Sequence, residues 1–458
     1  MNAHQVWRKR HCHRLYTMQT VGVGRVAFVD RRMVLRVPTS VAVVLLFGFP
    51  GAALGQTTSG GAVAGEPAVT SFITQDFHVT TWEGTRGSNV FAPERGKGSQ
   101  LYAPLTMGQV VDYAGSARFE VAAKSAYIWS HHDTPGQEAT YSGLTDSQVS
   151  ASMTVHGFSY VSPLVGILVN LPTGQSFLPG AQRFARMDVD LVEIGAYGEG
   201  LNLNPFVGFT FAPSRQFTLT PSVGYAWRGK FDREGFDAPT GFYNLRQSID
   251  PGDVLTASLN AAGKIGASTF QGSVAFTSES DLTKDGVPFA RLGRGYIANM
   301  AILYPVMERF NLLGNVSWKF NEKNKIAGDG GLVDEAKNSN SHLIIGSIQP
   351  MYDLADGLRV GLNYSILYRS ENFYDIVEEA FIPAKLKHSL GLTLDYGITQ
   401  NTTLSLTASR FWVEQHPGAL LLTQTATTSA GTSSTFENLP PELNYTGWLA
   451  TAAAKVRF

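Results

Sequence analysis

The groups from which a reactive site could be built are ten histidines, thirty-seven acidic residues and one cysteine, and their spacing decides what they can do. His131-His132 could bind a metal, but two adjacent histidines with no third ligand at helix or hairpin spacing read as exposed side chains. Glu371, Asp375, Glu378 and Glu379 lie close enough in sequence to hold calcium. They lack the Asp-x-Asp-x-Asp-Gly frame that a calcium loop uses, so a solvated acidic loop is the expectation. A hydrolytic site would need a nucleophile or a water-activating carboxylate with a histidine in reach. His78, His156, His342, His388 and His416 are available, yet spacing gives none of them a Ser or Asp partner. Gly328-Asp-Gly-Gly331 precedes no helix and is no phosphate cradle. No metal, cofactor or enzymatic activity is therefore expected.

The charged side chains that do follow a rule alternate with aromatic ones. In residues 116–130, Arg118, Glu120 and Lys124 oppose Phe119, Val121, Ala123, Tyr127 and Trp129. Side chains alternate along a strand with period two, so one face is charged and the other apolar. The pattern returns with Arg228 in 216–228, Arg309 and Lys319 in 309–320, Arg359 and Arg369 in 357–370, and Lys387 and Asp395 in 385–398. Such segments of about ten residues are the signature of transmembrane barrel strands. A half-buried strand of a soluble sandwich shows the same alternation, but its repetition along the chain with aromatic residues closing the apolar face favours a membrane barrel.

The connections alternate too. Short links fall near 114–115, 159–162, 213–215, 264–267, 305–308, 353–356 and 399–401. Long polar ones fall near 81–100, 131–146, 172–202, 229–252, 279–292, 321–340, 371–384 and 414–444. Counting on this rule gives sixteen strands (fallback fourteen, if 69–80 and 203–212 are withdrawn), an even number as a bacterial barrel requires. The fold class expected is all-β, a transmembrane antiparallel up-and-down barrel with short periplasmic turns and long extracellular loops. In its last strand Trp448, Val456 and terminal Phe458 alternate with Thr451, Lys455 and Arg457, which resembles the signal read by the barrel-assembly machinery.

Residues 31–36 are basic, Val41–Phe47 are apolar, and Ala53 and Gly55 precede Gln56, an order that reads as a cleaved signal peptide over 33–55. Residues 1–32 read as an extension ahead of a later start at Met33, 56–66 as a periplasmic leader, and 67–458 as the barrel. Removing residues 1–55 takes eight of 36 basic and one of 37 acidic side chains, leaving a net charge of −8. That balance excludes a nucleic-acid binder. It also removes Cys12, and with it any thiolate site or disulfide.

Sixteen strands enclose a channel that side chains alone cannot fill. The inward phase holds Arg118, Lys124, Arg228, Lys264, Arg309, Lys319, Arg359, Arg369, Lys387, Lys455 and Arg457 against Glu120, Asp253 and Asp395, so a basic, anion-favouring lumen is expected. Some of these cations could instead lie at the periplasmic rim. Arg410 falls on the outward phase, as a rim residue or the mark of a bulge. The runs Asp146–Val155 and Asn170-Leu-Pro-Thr-Gly174, with Tyr225-Ala-Trp-Arg-Gly229 and Asp250-Pro-Gly-Asp253, resemble outer-membrane proteins of the phenol-degradation meta-pathway type. That resemblance, confined to about residues 146–280, implies transport of hydrophobic or aromatic compounds. The function expected is passive passage of small solutes through the outer membrane. A surface-binding barrel with an occluded lumen is the alternative, and a barrel enzyme a distant third. Partners would be outer-membrane lipid and lipopolysaccharide, the assembly machinery and the solutes. A homo-oligomer stays open. The discriminating feature is whether the loop at 81–100, 172–202 or 414–444 folds into the barrel.

Overall fold

The computed structural model describes residues 68–86, 94–113, 115–156, 158, 160–214, 216–237, 242–378, 380–416, 419–424, 434–439 and 443–458. The extension, signal peptide and leader expected over 1–66 lie outside the described residues, as does Glu379. The barrel strands are β1 (Ala68–Arg86), β2 (Glu94–Tyr113), β3 (Ala117–Thr134), β4, β5 (Val161–Leu171), β6 (Asn202–Ser214), β7 (Phe217–Arg228) and β8 (Val254–Ile265). They continue as β9 (Ser268–Glu279), β10 (Gly295–Met307), β11 (Phe310–Asn321), β12 (Leu343–Ala355), β13 (Leu358–Arg369), β14 (Lys385–Thr399), β15 (Thr402–Gln415) and β16 (Leu443–Arg457). β4 consists of two segments, Gln137–Leu144 and Ser147–Val155, which pair with successive stretches of β3. Every neighbouring pair is antiparallel, and β1 pairs with both β2 and β16, which closes the sheet. Closure leaves no edge strand, as a barrel in lipid requires. All sixteen strands expected from alternation are present.

The outward face is apolar. Phe119, Val121 and Tyr127 on β3, Val223, Tyr225 and Trp227 on β7, and Leu390, Leu392 and Leu394 on β14 are all exposed. Tyr113, Tyr304, Tyr352 and Tyr396 lie toward the short-turn end of their strands, and Trp227, Tyr368 and Trp412 toward the long-loop end. These are the two aromatic girdles of a membrane barrel.

Several stretches expected as loops hold strand instead, among them Leu282–Lys284, Val287–Arg291, Lys325–Gly328 and Gly331–Asp334. Residues 81–86 pair with 94–99, and His131–Thr134 pair with Gln137–Thr140. Phe231–Asp237 pair with Phe242–Asp250. Beyond the membrane both faces of a strand meet water, so the apolar alternation fades although the ladder continues. A Pro135-Gly136 turn, with Gly136 at φ 79°, closes the β3–β4 extension.

Candidate functional site

The 172–201 segment between β5 and β6 folds into the barrel. Its base is stapled by Asp146, whose carboxylate accepts hydrogen bonds from the Gly174 N–H at 2.9 Å, the Glu199 N–H at 2.7 Å and Asn170 Nδ2 at 2.8 Å. Asn170 Nδ2 also donates to the Gly200 carbonyl at 2.7 Å. One carboxylate thus gathers both ends of the loop. A Cβ at position 174 would sit 1.8 Å from the Tyr197 carbonyl oxygen, so the staple admits only glycine there.

Above the base, Tyr197 stacks on Tyr141 with centroids 4.4 Å apart, among buried Ile128, Leu178 and Ala185. Its hydroxyl donates to the Ala185 carbonyl at 2.7 Å. Burial pushes this phenol up to about 12, so it remains a donor. The short helix Gly180–Ala185 carries the chain onward. Arg186 then pairs with Glu234, both almost fully buried, and donates to the Ser176 carbonyl.

The far part reaches other strands. Gln100 of β2 donates to the Ile194 carbonyl at 2.8 Å and accepts from its N–H at 3.0 Å. Met187, Leu191 and Val192 pack against Trp82 of β1 and Phe411 and Val413 of β15. At the tip, Lys385 of β14 donates to Asp188 at 2.6 Å and to Asp190 at 3.0 Å. Arg369 of β13 also pairs with Asp190. Lys387 reaches the Asp190 carbonyl at 2.7 Å, and its ammonium stands 4.5 Å from the Phe411 ring. β14 lies eight strands from β6 around the sixteen, so the loop is anchored on the opposite wall.

Residues paired across a ladder share a face, which fixes where the expected site residues point. Arg118, Glu120 and Lys124 of β3 face inward beside Thr154, Ser152 and Gln148 of β4. Arg228, Lys319, Arg359, Arg369, Lys387 and Asp395 also take the inward phase. Arg309 sits in the short turn before β11, at the rim. Of the acids that meet these cations, the sequence placed Glu120 inside but not Asp353 or Glu279. Arg118 pairs with Glu120 at 2.7 Å, Arg359 with Asp353 at 2.7 Å, and Arg228 with Glu279 at 3.4 Å. With Asp188 and Asp190 delivered by the loop, the basic surplus is smaller than the inward cations alone imply. Asp253, expected inside, instead accepts from the Arg228 N–H at 3.0 Å and from outward-facing Tyr225. Elsewhere the inner wall is polar, with Asn299 donating to Ser273 at 3.0 Å and Asn315 to Ser347 at 2.7 Å.

The motifs behind the family resemblance have a physical role here. Asp146, Asn170 and Gly174 form the loop staple, and Gly229 N–H donates to the Leu201 carbonyl at 2.7 Å. The other candidates separate. His131 lies beside Trp129 and is 3.0 Å from Thr140, while His132 faces inward, 2.7 Å from the Phe184 carbonyl. Lys337 pairs with Asp375 and, at 2.8 Å, with Glu378, holding the latter's carboxyl below the usual carboxylate range. The acidic loop is thus partly neutralised. Arg410 faces outward with no bulge beside it.

No protein-family model matches the chain, and no curated relative matches. Among solved structures it is similar to the Pseudomonas putida toluene transporter TodX, at 11% identity over 88% of this chain and 92% of that one, TM-score 0.38. It is also similar to an anion-selective porin from Comamonas acidovorans, at 11% identity over 86% and 100%, TM-score 0.37. A Pseudomonas aeruginosa FadL homologue gives 10% identity over 85% and 90%, TM-score 0.38. At these values the likenesses carry no argument about a solute. The class follows from the fold itself: a closed antiparallel barrel with an apolar belt and two girdles is a bacterial outer-membrane protein. Within that class, it is a sixteen-stranded barrel with the 172–201 loop folded inward.

Proposed function

We propose that the protein is an outer-membrane pore through which small solutes pass passively, narrowed by the 172–201 loop. The observation that carries this reading is the anchoring of that loop on the opposite wall by Asp188 and Asp190, above an inner wall that is otherwise polar. Sixteen strands leave a water-filled interior unless something occupies it, and here the loop occupies part of it. Arg118, Lys124, Arg228, Lys319, Arg359, Arg369 and Lys387, with Glu120 and Asp395, line the path and Arg309 its rim. Their remaining surplus of positive charge favours anions, small aromatic carboxylates among them. The buried seat of Met187, Leu191 and Val192 supports a second reading, a lumen held shut until the loop shifts.

The outward alternation of Trp448, Val456 and Phe458 is proposed as the signal for barrel assembly. Ser71 and Phe458 exchange both backbone hydrogen bonds, at 2.9 and 3.0 Å, so the last residue helps close the sheet. Loops above the belt would meet lipopolysaccharide. Swelling of liposomes that hold the refolded full chain tests the pore. Uptake of small sugars and organic anions, with a sharp size limit, is expected. Swelling no faster than that of empty liposomes would favour the shut lumen.

A further inference from the structure

One cation stands on the outer face at the edge of the apolar belt. Arg410 projects from β15 between Leu390 of β14 and Trp448 of β16. It is exposed, and its guanidinium lies 5.9 Å from the Trp412 ring and 5.6 Å from that of Trp448. Trp448 pairs in turn with Thr81 of β1. In the next outward row His388, Trp412, Thr446 and Glu83 stand side by side, with Glu414 beyond, so Arg410 lies where the outer face turns from apolar to polar at the long-loop end. Two residues toward the short-turn rim, the outward side chains shrink to Ala408 and Ala450, followed by Ala452. Between these and the taller Phe77, Leu392 and Leu406 runs an apolar groove of about 520 Å³.

We propose that this groove and Arg410 form a seat for one molecule of lipopolysaccharide, with a phosphate on the guanidinium and an acyl chain over the alanines. The assignment rests on the outer-membrane placement argued above. A cation among lipid tails is costly at mid-bilayer and nearly free at the interface, so Arg410 sits where an anionic headgroup can meet it. The guanidinium lies within cation–π range of two indoles. Its N–H edge stays available for a phosphate, which it can grip in bidentate fashion. Charge thus selects a phosphorylated partner, and the groove directly beneath selects one that carries chains. A second barrel would bring a convex wall of large side chains, which does not fill a concave groove of this size.

The test uses the refolded full chain in detergent, mixed with lipopolysaccharide and examined by native mass spectrometry. Arg410→Gln removes the phosphate contact, and Ala450→Leu fills the groove. Heat-modifiable migration on gels reports, separately, that each variant has closed its barrel. One lipopolysaccharide retained by the parent, with retention falling about tenfold in each folded variant, is the expected result. Dephosphorylated lipopolysaccharide should bind like Arg410→Gln, and millimolar inorganic phosphate should not displace the lipid. Equal retention by all three folded proteins would overturn the seat, as would protein dimers forming in place of lipid adducts. Complete displacement by inorganic phosphate would also overturn it, by reducing the site to an anion contact. A parent chain that never migrates as a closed barrel would overturn the outer-membrane placement, and the seat with it.

Discussion

Asp190 is the residue on which the inward loop most depends. It meets Arg369 and Lys385, neighbours across the β13–β14 ladder, and Lys385 is almost fully buried. Replacing Asp190 by Asn keeps its size but takes from Arg369 the carboxylate it pairs with and leaves Lys385 to Asp188 alone. Breaking a buried pair from one side costs about 3–5 kcal/mol. The loop tip should release, and single-channel current of the variant should be larger and noisier than that of the parent. Identical current and noise would show that the tip does not narrow the path. Glu199, at the base, gives a pH dependence. Burial raises its carboxyl above the ordinary value, an effect that Arg228 and Arg233 partly offset. The folded base therefore binds a proton more tightly than the unfolded chain does. Its stability should rise as pH falls through the raised value toward about 4.3, the ordinary glutamate value. Amide protection factors in the loop, which remove the pH dependence of intrinsic exchange, should rise on mild acidification, and Glu199→Gln should abolish that rise. Protection that falls over the same range would reverse the sign and refute the assignment.

The strands and the loop differ in how far the sequence shows them. Period-two alternation survives wherever one face meets lipid and the other water, so every barrel strand could be read from residues such as Phe119 against Glu120. No such contrast exists above the membrane, where residues 81–86 and 131–134 remain strand but read as loop. The inward path of 172–201 was not legible for a different reason. Its anchors, Arg369, Lys385 and Phe411, lie about two hundred residues further along the chain, and Asp190 carries no local mark of its partner. The acids Glu279 and Asp353 were missed inside because each closes a strand, where phase is least certain. What the sequence did show was the base. Asp146, Asn170 and Gly174 stood out as a motif before their hydrogen bonds gave it a function. Gly174→Ala would push a methyl into the Tyr197 carbonyl, at a cost of about 1–3 kcal/mol. Limited proteolysis should then cut within 175–198 in the variant and spare the parent. Equal resistance would mean that the staple tolerates a side chain.

At the scale of the whole barrel, charge is arranged in pairs rather than as a continuous basic ring. Arg118 with Glu120, Arg359 with Asp353 and Arg228 with Glu279 each neutralise part of the inner wall. Lys124, Lys264, Lys455 and Arg457 also take the inward phase, which leaves the path moderately positive rather than strongly so. Such a lumen should favour anions modestly, and added salt should weaken the preference as it screens these charges. The most direct test of the central claim is single-channel current, with reversal potential in a salt gradient, for the refolded protein in a planar bilayer. Stable conductance steps with a mildly anion-selective reversal potential are expected. A barrel that is folded and inserted, yet carries no current at any voltage, would contradict the claim.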